Sequence, residues 1–278
     1  MKKAYPQFSV SELCRALDIA NSSYYFLSKG EKINVELDIQ ITLIAKEFHY
    51  IYGKRRINNE LAKKGINVGV QKVSKLMKKL GIVVKYPKKK HFYPLSGKEH
   101  KYAPNLLKRQ FNPETHNTHW VTDVTYLKTR QGWSYLACVL DLGTKEIVGY
   151  ALSQSPDTQL TLAALNQAIK KKKPDTKKLM VHSDQGCHFS SKDYRDYLRT
   201  LKITQSMSRR GNCLDNAVME RFFRSLKSEH LNLLLFFNHE SVISEVVNYM
   251  TFYNYKRSHS GLDYLTPHGK YIELEKAA

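Results

Sequence analysis

Val181–Glu229 reads VHSDQGCHFSSKDYRDYLRTLKITQSMSRRGNCLDNAVMERFFRSLKSE, and short apolar runs alternate in it with stretches of helical spacing. The apolar runs have the length of buried strands, and Ser or Asn residues stand where helices commonly begin. The predicted elements are a strand over Lys178–His182, a helix from Ser190–Ser191 through Thr200, a strand over Ile203–Met207, and a helix after Asn212 that Asp215 or Asn216 caps. Strands that alternate with helices indicate an α/β sheet.

Three carboxylates belong to separate predicted elements. Asp184 follows the first of these strands, in a Ser-Asp-Gln-Gly turn, and Glu220 lies one turn inside the last helix. Asp123 lies in Trp120–Tyr126, where apolar and polar residues roughly alternate as in a strand. Such carboxylates are poor core material unless they meet a cation. Three of them can hold two hard divalent ions, and two metals about 4 Å apart clamp the attacking and leaving oxygens of a phosphoryl displacement.

The segment before Val181 predicts the rest of the sheet. Strands are expected over His119–Thr129, Trp133–Leu142 and Lys145–Ser153, followed by a helix over Thr158–Lys172. Short turns between the first three strands indicate an antiparallel meander. The order βββαβαβα is that of an RNase H-like core, a five-stranded mixed sheet with helices on both faces. In it Asp123 would lie on the central strand, Asp184 beside it, and Glu220 would face both.

Four sequence words carry a resemblance to a known family. They are WVTDVTYL (120–127), HSDQGCHFSS (182–191), SRRGNCLDNAVMERFFRSLKSE (208–229) and FYNYKRSHSGLDYLTPHGKY (252–271). In this order they closely resemble the OrfB-type transposases of the insertion-sequence-three family, over about Ile33–Tyr271. With 35 residues between Asp184 and Glu220, the three carboxylates also resemble the Asp-Asp-Glu triad of retroviral integrases and transposases. The tail departs from the family by placing Ser258 where Pro is common.

The resemblance implies an enzyme, a metal-dependent polynucleotidyl transferase. It would nick DNA at the ends of a mobile element and then join the freed 3′-OH to another phosphodiester. Asp123, Asp184 and Glu220 would be the catalytic residues and the ligands of two Mg²⁺ ions, with Mn²⁺ as a substitute. The expected partners are terminal inverted repeats, target DNA, further copies of the chain on DNA, and an upstream OrfA-type protein, fused or separate. The expected location is the cytoplasm, with the nucleoid.

Lys227 is a further candidate for DNA contact. It follows Glu220 by seven positions, and seven helical steps of about 100° return to within about 20° of the same direction. Arg224 and Asn216, each four positions from Glu220, lie near the same face. Val218, Met219, Phe222 and Leu226 can then pack on the opposite side. The family resemblance also implies a basic residue seven after the glutamate; a solvated lysine, or one paired with Glu220, is the other interpretation.

The first half of the chain predicts a DNA-binding module. The net charge is +20, and residues 1–118 hold 23 Lys or Arg against 9 Asp or Glu, which favours a polyanion over a membrane. Helices are predicted over Ile33–Phe48, Ile57–Lys64 and Val70–Leu80, the last two as a helix-turn-helix. The DNA-contact candidates there are Arg55, Arg56, Gln71, Lys72 and Lys75. Ser9–Tyr25 fits either a second helix-turn-helix or a structural hairpin.

The predicted division has five parts. They are a small helical segment 1–30, the helix-turn-helix domain 31–84, a basic Pro-containing linker 85–118, the catalytic core 119–230 and a helical extension 231–278 packed on the core. No apolar run is long enough to span a membrane, and Leu231–Phe237 is expected to be buried. We also expect the four cysteines to be free thiols. Asp141 is expected to close a turn and His182 to lie in the core. Tyr253, Asn254 and His259 are expected to dock the tail against the core.

Two other functions fit part of the sequence. A catalytically silent DNA-binding protein, a repressor or a remnant, would explain the basic first half but would not need the three carboxylates. An RNase H-type nuclease would share the fold but would not need the basic helix-turn-helix. Metal-dependent joining of a DNA end, as opposed to cutting alone, separates the three functions.

Overall fold

The computed structural model describes residues 6–16, 20–22, 35–85, 102–209 and 212–277, apart from the side chains of Val35 and Cys213. The helices are α1 Val10–Ala16, α2 Val35–Glu47, α3 Lys54–Lys63, α4 Val70–Lys79, α5 Thr158–Lys172, α6 Cys187–Ser190, α7 Lys192–Thr200, α8 Ala217–Glu229, α9 His239–Tyr255 and α10 Pro267–Ala277. The strands are β1 His119–Thr129, β2 Gly132–Asp141, β3 Ile147–Ser153, β4 Met180–Ser183 and β5 Thr204–Met207.

The five strands form one mixed sheet in the order β3-β2-β1-β4-β5. β1, β2 and β3 are antiparallel neighbours, whereas β4 runs parallel to β1 and β5 runs parallel to β4. The RNase H-like prediction is confirmed. β1 and α5 have the predicted bounds, and the other strands differ from their predicted bounds by at most two residues at either end.

Both faces of the sheet are covered, because successive side chains of a strand point to opposite faces. On one face Val121 and Leu127 of β1 join a cluster with apolar residues of α8 and α9. On the other face Trp120 joins a cluster with residues of α5 and α7. α5 lies close to β3 at Gly149, where an added Cβ would come within 2.7 Å of the Ala168 backbone nitrogen. This packing fixes β1, and with it Asp123, at the centre of the molecule.

The three helices α2, α3 and α4 enclose a separate core. One side of α2 faces this core, and the buried residues of the cluster include Leu37, Ile41, Ile44, Phe48, Ile57, Leu61, Val73 and Met77. α3 begins at Lys54, three residues earlier than predicted, because Gly53 supplies an extended residue at its N-terminus. Gly65 and Gly81 follow α3 and α4 with positive φ, which glycine adopts without strain.

The described part of the predicted linker, residues 102–118, packs against the sheet. The backbone nitrogens of Leu106 and Leu107 donate to Ser206 Oγ at 2.9 and 3.2 Å, and Met207 N donates to Pro104 O at 3.2 Å. Leu107 is buried in the cluster under α8 and α9. This segment therefore lies along β5, and its prolines serve an extended path over the sheet.

Leu231–Phe237 differs from the prediction that it would be buried. Leu231 and Phe236 are buried, but Leu233, Leu234, Leu235 and Phe237 are exposed, Leu235 by 89%. The end of this segment is held by backbone hydrogen bonds, because Arg130 N and Gln131 N, at the tip of the β1–β2 hairpin, donate to the carbonyls of Phe236 and Phe237. No helix in the described parts of the chain is long and apolar enough to cross a membrane.

Several predicted features lie wholly or partly outside the described residues. α1 falls within the predicted Ser9–Tyr25 unit, but most of that unit's turn and second helix are not described. The same holds for 86–101 of the linker and for Arg210 and Gly211. Cys14, Cys138 and Cys187 are free thiols, as predicted; the Cys213 side chain is outside the description.

Candidate active site

Asp123 and Asp184 are neighbours because of the parallel register between β1 and β4. Val121 of β1 pairs with His182 of β4. Asp123 lies two residues after Val121, and Asp184 lies two residues after His182. Asp123 Oδ1 accepts from Val124 N at 2.7 Å, and Asp184 Oδ1 accepts from Gly186 N at 2.9 Å. Backbone amides thus orient one oxygen of each carboxylate.

α8 carries Glu220 in its first turn. The opposite side of the helix is buried through Met219, Phe222 and Leu226, as predicted, and Val218 packs partly against the same cluster. At the start of the helix, Asn216 Nδ2 donates to Thr122 O at 3.3 Å, which ties this end of α8 to β1 beside Asp123. The helix therefore presents Glu220 toward the two aspartates.

Asp184 and Glu220 both act on the charge of Asp123, so the three carboxylates share one electrostatic environment. Burial raises the pKa of Asp123 well above its usual range, and the nearby Asp184 raises it further. The Val124 amide lowers this pKa, Glu220 raises it, and Lys227 lowers it. Burial, Asp184 and Glu220 all disfavour the charged form of Asp123, and a divalent cation bound beside it would offset that penalty.

Lys227 reaches from α8 toward β1. Burial lowers the pKa of its ammonium, and the attraction of Asp123 opposes that shift. The Lys227 Nζ lies 5.2 Å from the centroid of the Tyr126 ring. The structure therefore places this lysine beside both a carboxylate and an exposed aromatic ring, whereas the helical spacing alone related it only to Glu220.

The turn after Asp184 depends on a glycine. A Cβ on Gly186 would lie 3.0 Å from both Asp184 Oδ1 and His188 Nε2. Burial lowers the pKa of the His188 imidazole, and Asp184 opposes that shift. His188 was missed from the sequence, although it follows Asp184 by four positions, because no predicted helix related the two. The helical turn α6, Cys187–Ser190, brings them together.

Of the two predicted caps, Asn216 occupies the N-cap position of α8 and Asp215 does not, so the prediction is wrong for Asp215. No side-chain cap hydrogen bond forms at the start of α8, and a 3₁₀ turn over Cys213–Asn216 precedes the helix. The fully buried Asp215 carboxylate instead accepts from Arg209 Nε at 3.1 Å, Arg109 Nε at 2.8 Å and Asn105 Nδ2 at 2.9 Å. These donors, Arg209 foremost, lower the pKa of Asp215. Arg109, in the 102–118 segment, and Arg209, after β5, thus both bind the turn that precedes α8.

The tail words have structural roles, as predicted for Tyr253, Asn254 and His259. The Asn254 side chain bridges the backbone N and O of Ile147, both at 2.9 Å, and Tyr253 packs edge-on against Phe222 of α8 and against His259. The buried Arg257 makes a two-pronged bond to Glu229 at the end of α8, at 2.8 and 2.6 Å. Burial lowers the pKa of Arg257, but the hydrogen bonds that it donates to Glu229 outweigh this effect, and the net shift is upward.

Asp141 and His182 have the predicted structural roles. The Asp141 carboxylate accepts from Asn117 N at 2.8 Å and from Thr144 N at 2.9 Å, which closes the β2–β3 turn. The buried His182 bonds the hydroxyls of Ser206 and Ser208, at 2.8 and 3.1 Å. Burial lowers the pKa of His182 to about 4.

The predicted DNA-contact residues divide by exposure. Arg55, Gln71, Lys72, Lys75 and Arg224 are exposed. Asn216 is only 4% exposed and bonded to β1, so its side chain is not placed to contact DNA. Arg56 is half-buried, with its guanidinium carbon 5.3 Å from the Tyr52 ring centroid, and burial together with the nearby Arg257 lowers its pKa. Its side chain is engaged inside the protein.

The donor set fits a divalent cation. All three side chains offer hard oxygens, and the buried Asn216 Oδ1, at the start of α8, has no hydrogen-bond partner among the described residues. In the described parts of the chain, no three His, Cys, Asp or Glu side chains lie close enough to hold an ion by themselves. A cation between the carboxylates would therefore complete its ligands with water or substrate oxygens.

Comparisons with known proteins agree with this fold. Residues 113–213 and 201–267 each match a family described as "Integrase core domain", and residues 32–90 match one described as "HTH-like domain". The chain is 36% identical to an uncharacterized 31 kDa protein of insertion element IS600 from Shigella sonnei, over 92% of this chain and 96% of that one. It is 36% identical to the putative transposase InsK of IS150 from Escherichia coli K12, over 96% and 94%. It is 32% identical to the transposase InsF of IS3A from the same organism, over 96% and 95%. The chain belongs to the IS3 family of insertion-sequence transposases with an integrase core.

Proposed function

We propose that this protein is the transposase of an insertion sequence, which cuts DNA at the element's ends and joins the freed 3′-OH to a second phosphodiester. The parallel register that brings Asp123 next to Asp184, with Glu220 and Lys227 of α8 among the charges that act on Asp123, carries this proposal. Cutting and joining are both phosphoryl transfers, so a single site serves both. The family membership of the chain supports the same function.

Asp123, Asp184 and Glu220 would hold two Mg²⁺ ions, with Mn²⁺ as a substitute. Bound there, the ions would stabilise the attacking and leaving oxygens. The protein's own part is to fix the carboxylates through the Val124 and Gly186 amides and through the packed face of α8. Lys227 would hold a phosphate of the terminal nucleotides near these carboxylates, because its ammonium lies within reach of Asp123.

Recognition of the element's ends would fall to residues 31–84. The exposed face of α4 carries Gln71, Lys72 and Lys75, and Arg55 is exposed on α3. Cations on a recognition helix reach phosphates and base edges of duplex DNA. The partners would be terminal inverted repeats, target DNA, other copies of the chain on that DNA, and an OrfA-type protein encoded upstream. The protein would act in the cytoplasm, with the nucleoid.

Cleavage and joining of a DNA end test the proposal. The substrate is a labelled duplex with the element's end sequence, read from the DNA that flanks the reading frame. In Mg²⁺ the wild type should nick the end and join a pre-nicked 3′-OH to a second duplex. Asp184→Asn should lose both reactions by at least about a hundredfold and keep its affinity for the duplex, because the metal ligand is lost while the helix-turn-helix is intact.

The control is Asp193→Asn, which changes an exposed aspartate on α7 and should leave both reactions intact. Cutting without joining by the wild type would indicate a nuclease, and binding without either reaction would indicate a silent DNA-binding protein. Wild-type cleavage by Asp184→Asn would refute the role of that carboxylate.

A further inference from the structure

The β1–β2 hairpin exposes two large aromatic rings close to the three carboxylates. Tyr126 is 54% exposed and Trp133 is 49% exposed, and their rings meet edge to face with centroids 5.6 Å apart. Tyr126 of β1 pairs with Tyr135 of β2. Trp133 lies two residues from Tyr135 on the same strand, so Tyr126 and Trp133 are on the same face of the hairpin. The only other tryptophan of the chain, Trp120, is fully buried. Large apolar side chains that are exposed next to each other commonly mark a binding site.

The sheet leaves room for a ligand along this part of β1. β4 pairs with β1 only over His119–Val121, whereas β2 follows β1 as far as Thr129. Beyond Val121 no described strand pairs with the other edge of β1. Asp123 and Tyr126 both lie on this uncovered stretch, three residues apart. Their side chains leave the strand on opposite faces, so a chain that crosses this free edge beside Lys227 would meet both.

The charges around the rings favour a nucleic acid over a protein partner. The hairpin residues 124–136 include Lys128 and Arg130, both exposed, and no acidic residue. Lys128 stands opposite Trp133 in the strand register, and Lys227 Nζ lies over the Tyr126 ring. Cations interleaved with aromatic rings are typical of surfaces that bind single-stranded nucleic acid, where bases stack and phosphates meet the cations.

From this arrangement we propose that Tyr126 and Trp133 form a stacking surface for an unpaired base of the DNA strand held at the active site. The inference rests on the proposed function and deepens it. Inside a double helix each base is covered on both faces by its neighbours, so the ligand is the unpaired end of an opened duplex or a single strand, not the interior of a closed double helix. Lys227 would hold the phosphate of the same nucleotide, between the stacked base and Asp123.

The first experiment measures binding without metal, so it is independent of catalysis. The probes are a twelve-residue oligothymidylate and an abasic oligomer with the same number of phosphates, added to the full-length protein while tryptophan emission is recorded. Because Trp120 is buried, a change in emission reports on Trp133. The oligothymidylate should quench this emission and protect it from iodide, and the abasic oligomer should do neither.

Variants then separate stacking from charge. Affinity is measured here by the fluorescence anisotropy of end-labelled oligomers, because the Trp133 variants lack the reporting indole. Tyr126→Ala and Trp133→Ala should each weaken oligothymidylate binding by roughly five- to hundredfold, the range expected for loss of one base stack, and leave abasic binding unchanged. Trp133→Phe should retain most of the affinity because it keeps a ring. Tyr255→Ala is the matched control, since it removes a tyrosine of similar exposure, 48%, on α9. Unchanged circular dichroism and melting would show that the variants are folded.

A second experiment locates the base. Each of the last four nucleotides of the pre-nicked end is replaced in turn by an abasic site, and joining is measured. The wild type should lose joining at one position, and Tyr126→Ala should no longer respond to that position. The proposal would be wrong if the ring variants lost the same affinity for both oligomers. It would also be wrong if joining by Tyr126→Ala responded to the abasic positions as joining by the wild type does. If the variants instead abolished self-association without any nucleotide effect, the rings would be a protein interface and the proposal would be wrong.

Discussion

Residues of the tail support the active-site helix from its far end. Glu229, the last residue of α8, is held by Arg257, and Tyr249 Oη donates to Glu229 Oε2 at 2.8 Å. Loss of one partner of a buried ion pair typically costs about 3–5 kcal/mol, because the other charge is left unpaired. α8 is thus fixed at one end by this pair and at the other by Asn216. Glu220 and Lys227 lie between these two anchors.

His259 makes the stability of this tail depend on pH. Burial and the cations Arg257, Arg56 and Lys145 lower the pKa of His259 to about 2, against about 6.5 in the unfolded chain. Since the unfolded chain binds the proton and the folded one does not, stability is complete above pH 6.5 and falls as the pH drops below it. The free energy of unfolding, from urea titrations, should therefore fall by about 2 kcal/mol more between pH 7 and 5 in the wild type than in His259→Gln.

Glutamine is chosen because it still offers an acceptor for the Arg257 guanidinium, which lies 3.1 Å from His259 Nε2. The control His49→Asn replaces an exposed histidine at a positive φ that asparagine tolerates, and it should not alter the pH dependence. If wild type and His259→Gln lost equal stability between pH 7 and 5, the neutral buried histidine would be refuted.

Elements with strong local patterns were predictable from the sequence, and contacts between distant segments were not. β1 and α5 have the predicted bounds because apolar alternation and helical spacing are local signals. The error at Asp215 has a non-local cause, since Arg109 and Asn105, more than a hundred positions away, compete with the helix terminus for its carboxylate. Leu231–Phe237 was misjudged because apolar composition does not reveal that its backbone bonds to a hairpin tip.

The helix α4 permits a test at the scale of one element. Lys72 and Lys75 are exposed on it, and each phosphate neutralised on duplex DNA contributes about 0.9 to the slope of log affinity against log salt. Lys72→Gln with Lys75→Gln should reduce that slope by about 1.8 for a duplex with the element's end, and should weaken the preference for that end. Fluorescence anisotropy between about 50 and 200 mM salt measures both quantities.

A second pair of lysines controls for net charge. Lys170 and Lys177 are exposed near the entrance to β4, at the opposite end of that strand from Asp184. Their joint replacement by Gln removes the same charge and should leave the end preference intact. If the α4 pair behaved like this control pair, end recognition would have to be assigned to another surface.

At the scale of the whole molecule, the helix-turn-helix is joined to the catalytic core through the tail. The buried Tyr52 hydroxyl accepts from Ser258 N at 2.9 Å and from Ser258 Oγ at 3.1 Å. Arg56, on the following helix, stacks over the same ring, and Phe252 of α9 packs against the apolar cluster of α2–α4. The helix α4 is thereby linked to the tail that anchors α8, through packed contacts within the described residues.

Tyr52→Phe isolates this junction, because it removes one hydroxyl and keeps the ring. The Ser258 amide loses its acceptor, and an unpaired buried donor costs about 1–3 kcal/mol. Hydrogen exchange of the peptide that contains Ser258 should accelerate by about fivefold or more, as that free energy implies. The control Tyr50→Phe alters a ring beside the same cluster and should leave this exchange rate unchanged. Equal exchange in Tyr52→Phe and wild type would show that the hydroxyl does not secure the junction.

Binding of Mn²⁺, followed by electron paramagnetic resonance of the free ion, tests the assignment of Asp123, Asp184 and Glu220 as metal ligands most directly, since it does not depend on catalysis. The full-length protein is titrated in complex with a pre-nicked DNA end. The wild type should bind two ions per chain. Asp123→Asn, Asp184→Asn and Glu220→Gln should each weaken binding by at least about tenfold for one ion or both, and Asp193→Asn should bind as the wild type does. Wild-type binding of Mn²⁺ by all three carboxylate variants would contradict the assignment.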